Sequence, residues 1–325
     1  MKRRTTAKPK RAIPRPSEIA SSSRRSSLNG ILLVDKPAGP TSHDIVAHVR
    51  RASGERRCGH TGTLDPFATG LLVLCLGRST RFARFLSGTS KTYFASIRFG
   101  YATDSYDRTG SPVGEARTVD PDNAELVRLL EAMRGKSLQV PPAISAKKVG
   151  GKRAYTLART GAPVILSPVE VEVHHIELKK VDGPVAEVEM SVSSGTYVRA
   201  LAHDLGQKMG IGAHLAELRR TTVASLSVED AISMDDLGKD AIEGALLSGN
   251  EALQHVPEAR LAGEAAHRLR HGRSPGWEEI STTETIDRTE GFVRMLDERG
   301  ELIAIGEASP SGIRPLVVWE TAKSH

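Results

Sequence analysis

The first apolar block of the chain is Ile31–Val34, followed at once by Asp35-Lys36-Pro37-Ala38-Gly39-Pro40. Four aliphatic residues bounded by turn chemistry read as a short buried strand. Thr41 or Ser42 then caps a helix with Ile45, Val46 and Val49 on one face and Asp44 in its first turn, where a negative charge is favoured. The longest apolar run, Leu71–Leu76, predicts a second buried strand. Strict alternation follows, with Tyr93, Ala95, Ile97 and Phe99 on one face and Phe94, Ser96 and Arg98 on the other, the period of a strand with one face in a core. Asp120-Pro121 opens a helix carrying Leu126, Leu129, Leu130 and Met133, and Gly135 stops it. Val169, Val171 and Val173 alternate with Glu170, Glu172 and His174, as Val188, Met190 and Val192 do with Glu187, Glu189 and Ser191; both read as half-buried antiparallel strands. Helical patterns return over 197–209 and 213–220. Composition shifts near 250–258. Beyond it, runs at Phe292–Leu296, Leu302–Ile305 and Leu316–Trp319 with scattered glycines predict a small β-rich domain.

The 325 residues suffice for one large domain and a small one. The net charge of +6 is unevenly placed: residues 1–29 hold nine Lys/Arg and one Glu, leaving 36 basic against 38 acidic side chains elsewhere. Residues 1–29 therefore read as a disordered basic tail, and Pro9, Pro14 and Pro16 argue against the amphipathic helix of a transit peptide. Bulk basicity is a property of the tail, not of the body. Within the body, Lys147, Lys148, Lys152, Arg153 and Arg159 lie in a stretch without acids, which fits a polyanion-binding strip. No apolar run is long enough to span a bilayer. Cys58 and Cys75 show no C-x-x-C spacing and read as free thiols in a reducing, cytoplasmic setting. No histidine pair has metal-ligand spacing, so no metal or cofactor is expected.

The densest chemistry lies at Gly59-His60-Thr61-Gly62-Thr63-Leu64-Asp65-Pro66-Phe67-Ala68-Thr69-Gly70. Glycines that permit positive φ, with a proline that stiffens the chain, make a sharply turned loop holding one carboxylate at the mouth of a buried strand. Alone, an Asp-Pro turn is ordinary loop chemistry. Lys91-Thr92-Tyr93 and Ser194-Gly195-Thr196-Tyr197-Val198-Arg199 add weight. An arginine in the first turn of a helix is disfavoured by the helix dipole, so a carboxylate partner elsewhere would explain Arg199.

Taken in order, these segments resemble the pseudouridine synthases of the bacterial tRNA pseudouridine-55 type. The resemblance runs over roughly residues 30–225: Val34-Asp35-Lys36-Pro37, the Asp65 loop, Lys91-Thr92-Tyr93, Thr103-Asp104 with Asp107, Pro141-Pro142, Gly195–Arg199, Gly212–Leu215 and Leu218-Arg219-Arg220. It implies an α/β (α+β) fold with a mixed, mainly antiparallel central sheet flanked by helices over 30–250. A small PUA-like RNA-binding β-domain is implied for 251–325. It further implies that Asp65 is the catalytic aspartate, Tyr93 the aromatic stacked on a flipped uracil and Arg199 the partner of the aspartate. His60 would help displace the base and Leu218 would line the pocket. Thr63 belongs to the same loop, and Tyr197 either lines the pocket or packs. Lys147, Lys148 and Lys152 would contact phosphates. The implied substrate is the T-arm of tRNA, acted on by a monomer with no protein partner, no membrane and no cofactor. The residues suit that chemistry, because moving a uracil from N1 to C5 needs an ionised nucleophile and neither redox nor an energy donor. Asp65 would attack C1′ or C6. The guide-RNA-dependent synthases of ribonucleoproteins share the Asp loop, and a non-catalytic RNA-binding module is the reading from another class.

Overall fold

The computed structural model describes residues 28–142, 148–149, 152–153, 166–282 and 284–319. The basic tail up to residue 27 and Lys147 fall outside them. The main strands are β1 (Gly30–Lys36), β2 (Cys58–His60), β3 (Thr69–Leu76), β4 (Lys91–Phe99), β5 (Gly135–Gln139), β6 (Val169–Asp182), β7 (Val185–Val192) and β8 (Ala213–Val223). They form one ten-stranded sheet in the order Ile232–Ser233, β1, β3, β8, β4, β7, β6, β5, with β2 on β3 and Leu226–Ser227 on β8. Neighbours are antiparallel except at β1 with Ile232–Ser233 and β3 with β8. The longest helices among the described residues are α1 (Ser42–Ser53), α2 (Asn123–Glu131) and α3 (Val198–Lys208). Among the described residues no helix is long and apolar enough to cross a membrane.

The two continuous apolar runs have a simple cause. In β1 and β3, Ile31, Leu33, Leu71, Val73 and Cys75 face one apolar cluster, while Leu32, Val34, Leu72, Leu74 and Leu76 face another that includes Ile45, Val46 and Val49 of α1. Both faces are buried over Ile31–Val34 and Leu71–Leu76, so the alternation of a one-sided strand is absent there. The first cluster also holds Leu296, Leu302, Ile305 and Val317. These come from a five-stranded C-terminal sheet made of Ile280–Ser281, β9 (Glu258–Leu261), β10 (Phe292–Leu296), β11 (Leu302–Ser309) and β12 (Gly312–Val318). The ten-stranded sheet and the C-terminal sheet thus share one apolar layer. The alternating strand β4 buries Tyr93, Ala95, Ile97 and Phe99 as its period requires, against α2, α3 and β7.

Three expectations are corrected. Residues 213–220 form a strand, not a helix. Strand β8 has register shifts against β4 between Leu215 and Glu217 and between Arg220 and Thr222. Each extra residue delays the alternation, so Leu215 and Leu218 are buried three apart, which imitates helical spacing. Helix α2 begins at Asn123, not at Asp120-Pro121, because the Asp122 carboxylate accepts the Glu125 N–H at 2.7 Å. It also ends at Glu131, four residues before Gly135, which instead starts β5 with φ +87°. Of the three loop glycines expected to use positive φ, only Gly70 does (φ +97°); Gly59 lies within the regular strand β2.

Candidate active site

The loop between β2 and β3 is held from several sides. Ser42, at the start of α1, donates its hydroxyl to the Leu64 carbonyl at 3.1 Å and accepts the Leu64 N–H at 2.9 Å. The Ala68 N–H donates to the Asp65 carbonyl at 3.1 Å and closes the turn. Lys36, at the end of β1, is fully buried, and its ammonium donates to the carbonyls of Pro37, Pro66 and Ala68 at 2.9, 3.2 and 2.7 Å. Burial pulls its pKa down to about 8, against the attraction of Asp65. On the far side, the buried Arg220 donates to the carbonyls of Leu71 and Gly62 at 2.7 and 3.0 Å. A Cβ on Gly70 would lie 2.2 Å from the Arg220 carbonyl oxygen. Gly70→Ala therefore meets both positive-φ strain and a backbone clash. It is expected to destabilise the protein by about 3 kcal/mol or more, seen as a lowered urea midpoint with an unchanged denaturant slope.

This scaffold holds Asp65 at a cavity of about 290 Å³. Arg199, in the first turn of α3, bridges two carboxylates: its Nε lies 3.1 Å from Asp65 Oδ2 and its Nη1 2.8 Å from Asp107 Oδ2. The same Nη1 reaches the Ser105 carbonyl at 3.3 Å. The two acids differ in access. The Asp65 side chain is 37% exposed and that of Asp107 only 3%, so Asp65 is the carboxylate open to the cavity. Asp107 is the sealed counter-charge, its Oδ1 taken by the Ser105 and Thr109 hydroxyls and the Thr109 N–H. Burial raises the Asp65 pKa above the ordinary carboxylate range; Arg199 and Lys36 oppose that rise and Asp107 adds to it. The guanidinium thus favours the ionised, nucleophilic form in a site that otherwise disfavours it.

Tyr93, Tyr197, Thr63 and Leu218 line the same cavity as Asp65 and Arg199. Aromatic and aliphatic side chains lining one cavity with a carboxylate suit a planar heterocycle held by stacking. Tyr197 is fixed by Gln139, whose side-chain amide accepts the Tyr197 N–H at 2.8 Å and donates to its carbonyl at 3.1 Å. His60 is not among the cavity-lining residues. Its ring meets His43 edge-on at 5.4 Å, and burial lowers its pKa. Lys148 and Lys152 fall on a small antiparallel pair, Lys148–Val149 with Lys152–Arg153; their side chains, like Lys147, lie outside the described residues.

Lys36, Lys91, Asp107, Gln139 and Arg220 were not singled out for the site from sequence. Lys91 lines the cavity with its ammonium on the Ser87 and Thr89 carbonyls at 3.2 and 2.7 Å, and burial lowers its pKa to about 8. Lys36, Lys91, Asp107 and Arg220 do stand within the segments that carry the resemblance, and the misplaced charge of Arg199 calls for a carboxylate; the fold supplies two.

Residues 50–198 match the TruB family pseudouridylate synthase N-terminal domain, and residues 199–254 match the tRNA pseudouridylate synthase B C-terminal domain. The chain is 39% identical to the tRNA pseudouridine synthase B of Solibacter usitatus (strain Ellin6076) over 90% of this chain and 100% of that one. It is 42% identical to that of Symbiobacterium thermophilum over 79% and 86%, and 38% identical to that of Aquifex aeolicus (strain VF5) over 89% and 98%. Among solved structures, a chain from the crystal structure of a Cbf5-Nop10-Gar1 complex superposes with a TM-score of 0.72 at 25% identity, covering 89% of this chain and 84% of that one.

Proposed function

The chain belongs to the TruB family of pseudouridylate synthases, and from that premise we propose that it isomerises uridine to pseudouridine in the T-loop of tRNA, at position 55. The observation that carries this reading is the half-exposed Asp65 carboxylate, held by Arg199 in a cavity walled by Tyr93. In the reaction the N1–C1′ bond breaks and a C5–C1′ bond forms, N1 ends protonated, and the C5 hydrogen is lost as a proton. Asp65 acts as the nucleophile, at C1′ or C6, and is released when the new bond is complete. The target base leaves its stack, at a cost of a few kcal/mol, and stacking on Tyr93 offsets part of it. Leu218, Thr63 and Tyr197 shape the pocket around the ring. His60 assists in displacing the base. Lys147, Lys148 and Lys152 contact phosphates of the T-arm, and the C-terminal sheet serves as a PUA-like RNA-binding unit. The protein acts as a cytoplasmic monomer without cofactor.

The test is conversion of an unmodified tRNA transcript by the purified protein with no added guide RNA. One new pseudouridine in the T-loop is expected, read as a carbodiimide-dependent reverse-transcription stop, and an isolated T-arm stem-loop should also be converted. Product that forms only when a guide RNA and partner proteins are added would assign the chain to the ribonucleoprotein type instead. RNA binding with no product under either condition would leave the non-catalytic module.

A further inference from the structure

Tyr106 is one of two non-glycine residues with positive φ among those described, at +65°. An aromatic residue resists this left-handed conformation, so something around it must hold it there. Its two neighbours in sequence are the residues that hold Arg199 from the side away from Asp65: the Ser105 carbonyl and the Asp107 carboxylate both accept from Arg199 Nη1. The backbone of Tyr106 is bonded outward, its N–H to the Thr103 carbonyl at 3.2 Å and its carbonyl to the Leu215 N–H of β8 at 2.9 Å. Its ring lies flat on the imidazole of His203, with centroids 3.9 Å apart and planes within 15°.

His203 sits on α3 four residues after Arg199, which puts the two on the same side of the helix, one turn apart. The imidazole makes no hydrogen bond at its buried Nδ1 among the described residues. Its ring plane is therefore set by the stack and not by a polar partner. Burial also lowers the His203 pKa, against the attraction of Asp204.

We propose that the Tyr106–His203 stack is a positioning device that fixes the spacing between the Thr103–Asp107 turn and α3, and so aims the Arg199 guanidinium at Asp65. Neither ring lines the cavity; both act through Arg199. The strained turn presents Ser105 and Asp107 to one edge of the guanidinium, and the stack one helical turn away sets how far the helix stands from that turn. A displacement of a few tenths of an ångström there would lengthen the 3.1 Å contact to Asp65, and misplacement of a reacting group on the order of 1 Å can cost about 10²-fold in rate.

This inference rests on the proposed function, and the wild-type protein is the control that separates the two. If the wild-type protein forms no pseudouridine in tRNA, the functional reading fails. If it is active, the variants test the stack. Tyr106→Asn removes the ring while keeping a residue that tolerates positive φ, so it isolates the stack from the backbone strain. Tyr106→Asn and His203→Ala are each expected to lower kcat about tenfold with KM for tRNA unchanged within about twofold. The double variant should be no slower than the slower single one, as expected of residues acting as one unit. Tyr106→Phe, which keeps the stack, should retain wild-type kcat. Wild-type kcat in Tyr106→Asn, additive losses in the double variant, or a loss confined to KM would each overturn the proposal. Thermal melting of every variant identifies any loss that comes from unfolding, and Tyr106→Phe and Tyr106→Asn then decide at a temperature where both are folded.

Discussion

Asp65→Asn is expected to leave a folded protein that binds tRNA and forms no pseudouridine. The substitution keeps the shape of the side chain and removes its charge and nucleophilicity. Arg199 retains the Asp107 carboxylate at 2.8 Å and the Ser105 carbonyl, and Lys36 keeps its three backbone carbonyls, so no buried donor is left unpaired and the fold has little reason to change. Loss of the covalent step should lower kcat by at least about 10³-fold, near 4 kcal/mol at 1.36 kcal/mol per decade. Binding should stay equal or tighten slightly, because a negative charge has been removed from the face proposed to receive a polyanion. Single-turnover assays with enzyme in excess, beside a filter-binding titration, separate the two effects. A variant within tenfold of wild type would remove Asp65 from the role of nucleophile.

Arg199→Met removes the cation shared by two carboxylates, and its signature lies in the pH profile. In the wild-type protein burial already raises the Asp65 pKa, with Arg199 the largest opposing influence. Without the guanidinium the pKa must rise further. The ionised fraction at a given pH then falls, so the acid limb of kcat/KM moves to higher pH. A shift of one to three units, the usual influence of an adjacent arginine, is expected, with the loss greatest on the acid side and shrinking as pH rises. The deficit that remains on the alkaline plateau measures orientation alone. Stability should fall by about 3 kcal/mol or more, since Asp107 is left buried without its cation. Arg199→Lys restores charge without the two-pronged geometry, and its acid limb should return most of the way while its plateau does not. An acid limb in Arg199→Met that matches wild type would show that Arg199 does not tune Asp65.

Much of this site is legible in the chain because its loop is built from residues with narrow conformational roles. Gly70, Pro66 and the apolar run from Leu71 mark a turn entering a buried strand, and the turn places Asp65. Arg199 announces a partner through its unfavourable place at a helix start. Which carboxylates answer is a question of topology: Asp107 reaches α3 only because its turn is bonded to β8 at Leu215. Lys36 and Arg220 escape notice for the opposite reason. Charged side chains are ordinarily exposed, and nothing local distinguishes one whose donors are consumed by backbone carbonyls of a distant loop. Strand β8 is misread because its register shifts turn a period of two into spacings of three and four. Tyr106 is invisible for a related reason, since its positive φ is imposed by the strand and helix on either side.

The apolar layer shared by the two sheets limits how this protein can be taken apart. Leu296, Leu302, Ile305 and Val317 complete the cover over Ile31, Leu33, Leu71 and Val73, on the strands from which the Asp65 loop and Lys36 depart. The C-terminal sheet is therefore not an appendage that recombination can exchange freely. Any replacement has to reproduce that apolar footprint. Heredity at this joint is constrained by packing before it is constrained by substrate.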